Sequence, residues 1–304
     1  MRDPGGNVRA HFQPLADWLA ETPPARVAEK RREADLLFHR VGITFAVYGE
    51  EQGDERLIPF DIVPRVIPRA EWNALERGLK QRVAALNRFL HDIYHDQEIL
   101  KAGKIPVDQV TKHNAYQPAM RGIDLPNGIY SNIAGIDLVR HDDGLWYVLE
   151  DNLRTPSGVS YMLENRKMML RLFPELFARQ QVLPVEQYPA LLLETLRASA
   201  PPRLRRDPSV VVLTPGQHNS AYFEHAFLAQ QMGVELVEGA DLFVRDDYVY
   251  MRSTTGAQRV DVIYRRIDDD FLDPKCFRPD SMLGVPGLME VYQAGNVALA
   301  NAPG

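Results

Sequence analysis

Residues 134–158 read AGIDLVRHDDGLWYVLEDNLRTPSG, and this stretch contains the pattern that decides the fold. Two β-prone segments, 129–139 and 145–150, flank the pair Asp143-Gly144. An Asp-Gly pair between two such segments is a strong signal for a β-hairpin with a two-residue turn. The sequence therefore predicts two antiparallel strands that are joined by this pair.

The register of this hairpin predicts which side chains share one face. With a two-residue turn, Asp137 lies directly opposite Glu150, and Gly135 lies opposite Asn152. Because side chains alternate between the faces of a strand, Asp137, Glu150 and Asn152 project from the same face. Like charges directly opposite each other destabilise a sheet, so we expect a shared proton, a nearby arginine or a divalent cation to offset the repulsion.

Two carboxylates and an amide oxygen are hard ligands of the kind that Mg²⁺ binds, commonly together with phosphate oxygens. The spacing is therefore compatible with a magnesium site. A solvated polar face near a hairpin is the alternative, and a slip of one residue in the register would separate the three side chains.

A polar loop, residues 151–158, follows the second strand and leads into a helix. Free N–H groups at a helix N-terminus favour anions. Ser157 also fits the simpler role of an N-cap residue. Arg154, next to a metal site, can hold a carboxylate or a phosphate in a bidentate manner.

Composition limits the partners that we expect. The 304 residues suffice for two domains, and 45% hydrophobic and 25% charged residues are typical of globular proteins. A net charge of −6 gives no support for a nucleic-acid partner, and no apolar run is long enough to span a membrane. The single cysteine, Cys276, excludes an internal disulfide and fits a reducing, cytoplasmic setting.

The Pro- and Arg-rich segment 199–209, SAPPRLRRDPS, predicts a linker between an N-terminal part, 1–200, and a lobe, 201–304. Strand–helix–strand spacing in the lobe predicts a parallel α/β sheet with its ligands at the carboxyl ends of the strands. Hydrophobic periodicity predicts helices over 26–40, 72–93, 159–173, 188–198 and 221–232. It predicts further strands over 43–48, 56–62, 210–213, 234–237, 242–244, 248–251, 260–264 and 296–300, with a turn over 49–54.

The lobe offers its own candidate ligands. Asn219 and Ser220 stand where a strand changes into a helix, which is a natural polar site. Arg265 and Arg266 end another strand, where they suit a carboxylate or phosphate, and Asp268 suits an amine. Mutual salt bridges among these charges are the alternative, and His225 is expected to be a structural or surface residue.

The pattern Asp137, Glu150-x-Asn152 and a Ser/Thr-rich loop resembles the metal-binding stretch of glutathionylspermidine synthetase and eukaryotic-type glutathione synthetase, which are circularly permuted ATP-grasp ligases. The whole chain resembles more closely the bacterial circularly permuted ATP-grasp proteins described as glutathionylspermidine synthase-like. The stretches that carry this resemblance are ITFAVYG (43–49), GLKQRVAALNRFLHDIYHDQ (78–97), AGIDLVR (134–140), VLEDNLRTPSGVSYMLENR (148–166), TPGQHNSAYFEHAFLA (214–229) and VDVIYRRIDDDFLDP (260–274).

The resemblance implies a mixed α/β, circularly permuted ATP-grasp fold with a Rossmann-like substrate-binding lobe. It implies an ATP-dependent carboxylate–amine ligase that acts through an acyl phosphate, with a small-molecule or peptide carboxylate and an amine as substrates. It makes Asp137, Glu150 and Asn152 the Mg²⁺ ligands that bridge the phosphates of ATP. Thr155, Ser157, Asn219, Ser220, Arg265, Arg266 and Asp268 then contact substrate.

Two departures from the family pattern qualify this assignment. The synthetases carry an arginine two residues before the first metal-binding aspartate, where this chain has Gly135. Arg140 is expected to face the other way, so Arg154 is the candidate for the catalytic arginine. The departure tells against glutathione as the substrate.

The second departure concerns lysine. Lys275 is the only lysine beyond Lys167, and we expect it to contact the nucleotide together with Asn152. The family's fold continues after the strand at 296–300 with a Gly-rich, lysine-containing turn. We therefore expect a fragment that lacks the C-terminal ATP-grasp part and does not turn over ATP.

Two other functions stay open from the sequence. A non-catalytic ATP-grasp-like binding or scaffold protein fits both departures. A nucleotide-binding α/β transferase fits the lobe but does not explain the Asp…Glu-x-Asn hairpin.

Overall fold

A computed structural model describes residues 1–41, 44–46, 55–57 and 60–304. The helices in this part of the chain are α1 (Gln13–Glu21), α2 (Pro24–Val41), α3 (Arg69–Tyr94), α4 (Glu98–Lys101), α5 (Val107–Thr111), α6 (Val159–Leu172), α7 (Pro174–Arg179), α8 (Tyr188–Ala198), α9 (Tyr222–Met232), α10 (Asp269–Leu272) and α11 (Leu288–Gln293). The strands are β1 (Thr44–Ala46), β2 (Glu55–Leu57), β3 (Gly135–Arg140), β4 (Trp146–Asn152), β5 (Val210–Leu213), β6 (Glu235–Val237), β7 (Leu242–Arg245), β8 (Tyr248–Ser253), β9 (Gly256–Val260), β10 (Val262–Arg265) and β11 (Ala298–Ala300).

The contacts within the chain group it into two compact units. The first contains Met1–Arg77 and Gly158–Tyr188, and the second contains Gly78–Ser157 and Pro189–Gly304. These bounds differ from a division at residue 200, because the hairpin of β3 and β4 groups with the lobe that follows the linker. The division into domains 1–200 and 201–304 therefore stays a prediction.

The first unit is held together by helices that bury aromatic side chains. Trp18 of α1 packs edge-on against Phe173, with ring centroids 5.2 Å apart. Its indole N–H donates to the carboxylate of Glu175 at 2.9 Å, which satisfies the polar end of a buried ring. β1 and β2 form the predicted antiparallel pair, while the predicted turn at 49–54 lies outside the described residues.

A four-stranded parallel sheet in the order β11-β10-β5-β6 forms the centre of the second unit, as the strand–helix–strand spacing predicts. The first strand in sequence, β5, lies inside the sheet, and the connections leave it in opposite directions. The strand order therefore reverses between β5 and β10, and a crevice opens at the carboxyl ends of such a pair. The strands of the sheet are almost wholly buried, which explains their continuous apolar sequence.

The predicted strand over 260–264 is interrupted at Asp261, a buried aspartate that separates Val260 of β9 from Val262 of β10. The carboxylate of Asp261 accepts hydrogen bonds from the Arg206 guanidinium and the Ser209 N–H, both at 2.9 Å. The chain therefore leaves the antiparallel sheet β7-β8-β9 at Val260 and enters the parallel sheet at Val262. The predicted strand over 129–139 is also shorter than expected, because it begins only at Gly135.

Two buried asparagines hold the base of the β3–β4 hairpin. Asn87 of α3 accepts from the backbone N–H groups of Tyr130 at 2.8 Å and Ser131 at 2.9 Å. The side chain of Asn301, just after β11, accepts from the N–H of Ile133 at 2.9 Å and donates to the carbonyl oxygen of Leu153 at 2.6 Å. Asn301 thus ties both arms of the hairpin to the carboxyl edge of the parallel sheet.

No helix in the described part of the chain is long and apolar enough to cross a membrane.

Replacing Asn301 with alanine is expected to lower the free energy of unfolding by ~3 kcal/mol, because it leaves several buried backbone groups without partners. The matched control is Asn296→Ala, which removes one peripheral hydrogen bond, from Asn296 Nδ2 to the carbonyl of Asp247 at 2.9 Å. Urea unfolding followed by circular dichroism measures both variants. Equal, small losses in the two variants would show that Asn301 does not anchor the hairpin.

Candidate functional site

The structure confirms the pairing that the sequence predicts at the hairpin. Asp137 is paired with Glu150, and Gly135 is paired with Asn152. The side chains of Asp137, Glu150 and Asn152 therefore share one face, and all three are exposed. The opposed carboxylates are the central feature of the candidate site.

The predicted two-residue turn is wrong, and a second irregularity restores the register. The N–H of His141 donates to the carbonyl of Leu145 at 3.0 Å, so the turn contains three residues and ends in Gly144 at φ +81°. Leu138 then pairs with Val148, which is one residue out of register with the carboxylates. A β-bulge between the two parts of the ladder brings Asp137 and Glu150 opposite each other.

The surroundings of the two carboxylates distinguish between the three ways of offsetting their repulsion. Among the described residues, no arginine, lysine or histidine pairs with Asp137 or Glu150, which leaves solvation by water, a shared proton or a bound cation. Asn152 donates its Nδ2–H to Glu150 at 3.0 Å, so its amide oxygen remains available as a ligand. This donor set, two carboxylates and one amide oxygen, fits a hard divalent cation such as Mg²⁺.

Gly135 occupies a crowded position, where a larger residue would require its neighbours to shift. A Cβ atom there would lie 3.0 Å from Cβ of Pro156 and 3.4 Å from Cβ of Asn152. The loop that follows β4 folds back over this part of β3, and glycine allows the close approach. Arg140 lies at the other end of the hairpin, with its Nε donating to the carbonyl of Gly144 at 3.3 Å.

The loop after β4 brings two of the predicted site residues together. Arg154 and Asp268 approach to 3.5 Å, and about half of each side chain is exposed. Such an exposed pair contributes little to stability, so both groups can be re-directed to a ligand at small cost. Thr155 is half-buried and Ser157 is exposed in the same loop. The alternative role of Ser157 as N-cap is wrong, because Gly158 at φ +106° caps α6.

Asn219 and Ser220 lie in the turn between β5 and α9, at the crevice where the strand order reverses. The Asn219 side chain accepts from the N–H of Ala221 at 2.9 Å, which fixes the entry into α9. Ser220 is half-buried. Both residues thus lie at the sheet edge that the sequence predicts for ligands.

Arg265 and Arg266 are buried and form salt bridges with acidic residues, which is the alternative to ligand binding that the sequence allows. The guanidinium of Arg265 donates to the carbonyls of Asn301 at 2.7 Å and Ala302 at 2.9 Å, and it pairs with Asp269 at 2.7 Å. Arg266 pairs with Glu224 of α9 at 3.3 Å. Arg265 therefore holds the end of β11, and Arg266 holds α9 against β10.

Lys275, the predicted nucleotide contact, is exposed. Its ammonium lies 4.0 Å from the carboxylate of Glu290, and its backbone N–H donates to Asp273 at 2.9 Å. Asp273 also accepts from the N–H groups of Gly287 and Met289, so this carboxylate organises the start of α11. The side chain and the backbone of Lys275 thus contact residues in and next to α11.

A buried polar cluster lies beneath the crevice, and the sequence does not reveal that its members lie together. His225 of α9 shares a hydrogen bond of 2.9 Å with the hydroxyl of Thr214, which also accepts from the N–H of Gly216. Burial, together with the positive charge of Arg266, lowers the pKa of His225 to about 3. Its buried neighbour Glu224 carries the ion pair to Arg266. The only signal in the sequence is that polar residues stand at the positions where α9 faces the sheet.

Comparison with known proteins relates this chain to one family. Residues 64–304 match the family described as circularly permuted ATP-grasp type 2. In overall structure, the chain resembles a glutathione synthetase-like effector from Globodera pallida, with a TM-score of 0.53 and 15% identity over 90% of this chain and 64% of that one. At 15% identity, this similarity shows a shared fold only.

Curated relatives extend well beyond the matched region. An uncharacterised protein of Synechocystis is 56% identical over 98% of this chain and 62% of its own length. One from Mycobacterium tuberculosis is 53% identical over the whole chain and 54% of its own length. A Frankia alni protein named "Putative glutamate--cysteine ligase 2-3" is 42% identical over 99% of this chain and 35% of its own length. The chain thus spans a little more than half of the first two relatives.

The low pKa of His225 predicts a pH dependence of stability. The unfolded chain binds a proton at this histidine below about pH 6.5, whereas the folded chain binds it only near pH 3. Lowering the pH through this window therefore favours the unfolded state, by at most ~1.4 kcal/mol per pH unit. Urea unfolding at a series of pH values measures the slope, which His225→Asn is expected to reduce. The exposed loop residue His218, replaced in the same way, is the control, and equal slopes in all three proteins would contradict the assignment.

Proposed function

The chain belongs to the circularly permuted ATP-grasp type 2 family, and we propose that the protein is an ATP-dependent carboxylate–amine ligase. One observation carries this proposal. Asp137 and Glu150 oppose each other on one face of the hairpin, the Asn152 amide oxygen is available beside them, and none of the described residues neutralises the carboxylates. This arrangement suits a Mg²⁺ ion in complex with nucleotide phosphates.

The position of the hairpin supports the same function. Asn301 and Arg265 fix its base at the carboxyl edge of the parallel sheet, and the crevice between β5 and β10 opens at that edge. Ligands of open parallel sheets bind at such a crevice. Substrate bound near Asn219 and Asp268 would thus lie on the same edge of the sheet as the hairpin's base.

The proposed reaction transfers the γ-phosphoryl group of ATP to a substrate carboxylate. The acyl phosphate then reacts with an amine, whose nitrogen forms the amide bond as inorganic phosphate leaves and a proton is released. Bound Mg²⁺ would supply neutralisation of the charge that develops on the phosphate oxygens. Asp137, Glu150 and Asn152 would hold this ion through their oxygens.

Arg154 is the candidate for the catalytic arginine. It stands in the loop that leaves the metal-binding strand, and its present partner, Asp268, is an exposed carboxylate at 3.5 Å. A substrate carboxylate can replace Asp268 in this pair, and Asp268 is then free to accept a hydrogen bond from the incoming amine. Arg154 would orient the carboxylate and stabilise the acyl phosphate.

The substrates that we propose are an amino-acid-like or peptide carboxylate and an amine, with the reaction in the cytoplasm. The name of the Frankia relative, "Putative glutamate--cysteine ligase 2-3", supports an amino-acid carboxylate. Lys275 and Asn152 are proposed contacts of the nucleotide, and Thr155 and Ser157 are proposed contacts of substrate.

A non-catalytic nucleotide-binding protein is the second candidate. The observation in its favour is Gly135, which replaces the arginine that the synthetases carry and lies in a position that Pro156 crowds. The complete protein, incubated with Mg·ATP and mixtures of acids and amines, distinguishes the two candidates. A ligase releases ADP and forms a product whose mass equals acid plus amine minus water, whereas a binding protein retains ATP with neither change.

Replacing Glu150 with glutamine is expected to abolish amide formation in the complete protein and to weaken Mg²⁺-dependent nucleotide binding by at least ~10-fold, since one ligand charge is lost. Isothermal titration with Mg·ATP and product analysis by mass spectrometry measure the two effects. The matched control is Asp142→Asn, which removes one exposed charge from the turn of the same hairpin. Undiminished activity of the Glu150→Gln variant would overturn the metal assignment.

A further inference from the structure

A second group of potential metal ligands lies outside the hairpin, within the same compact unit. His91 and His95 stand four residues apart on α3, and Asp124 follows in the loop before β3. One ligand atom of each residue lies within 4.8 Å of the others, and among the described residues this is the only such group of three. Two histidines at this spacing on one helix face can bind the same ion.

The rings of the two histidines lie close together and nearly parallel. Their centroids are 4.1 Å apart, with an angle of 8° between the ring planes. The ring of His91 also lies against the loop at Gly128, where a Cβ would be 3.7 Å from its Cδ2 atom. Both imidazoles thus lie close together before any ligand arrives, and one ring turns about its side-chain torsions to direct an in-plane lone pair at a shared ion.

The hydrogen bonding of His95 fixes the role of its second nitrogen. Its Nδ1 lies 2.9 Å from the carbonyl oxygen of His91. A carbonyl only accepts, so Nδ1 carries the proton and donates it, and Nε2 of the neutral ring presents a lone pair. Metal-bound histidines commonly donate their other N–H to a backbone carbonyl in this manner, which orients the ring.

The Nε2 atom of His95 is buried and makes no hydrogen bond. It nevertheless lies 3.3 Å from a carboxylate oxygen of Asp124. A cation bound between the Nε2 atom of His95 and this carboxylate oxygen would contact both groups.

We propose that His91, His95 and Asp124 form a binding site for Zn²⁺. Two imidazole nitrogens and one carboxylate oxygen are the donor types that zinc combines, at distances of ~2.0–2.2 Å from the ion. Three protein ligands leave a fourth, tetrahedral position for water or a small ligand. Asp124 also lines a cavity of about 580 Å³, so solvent reaches its carboxylate.

The donor types separate this site from the hairpin. Mg²⁺ prefers oxygen ligands and suits Asp137, Glu150 and Asn152, whereas imidazole nitrogens favour Zn²⁺. An excess of Mg²⁺ is therefore expected to fill the hairpin without displacing Zn²⁺ from the histidines. This difference makes the zinc site testable independently of the ligase function.

The experiment titrates the metal-free protein with ZnCl₂ in the presence of excess Mg²⁺, using competition with a chromophoric chelator. We expect one equivalent of Zn²⁺ to bind, and His95→Ala and His91→Ala each to weaken binding by at least ~10-fold. Asp124→Asn is expected to weaken it as well. Since the Asp124 side chain is 93% exposed, this variant does not disturb the core.

The matched control is His141→Ala in the hairpin turn, which also removes a histidine beside a carboxylate, that of Asp143 at 3.6 Å. This variant is expected to bind Zn²⁺ like the unaltered protein. Replacement of Zn²⁺ by Co²⁺ gives a second readout, because four-coordinate Co²⁺ absorbs strongly in the visible range. Equal zinc affinity in the unaltered protein and in the His91→Ala and Asp124→Asn variants would overturn the proposal.

Discussion

The buried amide of Asn301 is the interaction on which the position of the candidate site depends. The amide contacts residues 132 and 133 at the start of one hairpin arm and Leu153 at the end of the other. The carbonyl of Asn301 is in turn held by the guanidinium of Arg265 from the neighbouring strand. A chain of hydrogen bonds therefore fixes the base of the hairpin to the carboxyl edge of the sheet, the edge at which open parallel sheets commonly bind ligands.

The charges at this edge divide into two groups with different tasks. Arg265 and Arg266 are desolvated and paired with Asp269 and Glu224, and breaking either pair leaves a costly unpaired charge. Arg154 and Asp268 are exposed and only loosely paired, so a ligand can replace either partner at small cost. The buried pairs hold the scaffold rigid, and the exposed groups remain available for chemistry.

Local patterns in the sequence predict much of this structure, and long-range contacts account for what they miss. The Asp137–Glu150 pairing is correct although the turn is one residue longer than predicted, because the β-bulge offsets the extra residue. Neither irregularity has a clear signal in the sequence. The burial of Arg265 depends on carbonyl groups more than 30 residues away, so its position at a strand end looks the same as that of a ligand-binding arginine.

We propose that the opposed carboxylates of Asp137 and Glu150 hold a metal–nucleotide complex at the sheet edge. A crystal structure of the complete protein with Mg²⁺ and a non-hydrolysable ATP analogue tests this most directly. We expect the ion within ~2.0–2.1 Å of oxygens from Asp137 and Glu150, with phosphate oxygens completing an octahedral shell. An ion and nucleotide bound elsewhere, with both carboxylates still facing solvent, would contradict the account.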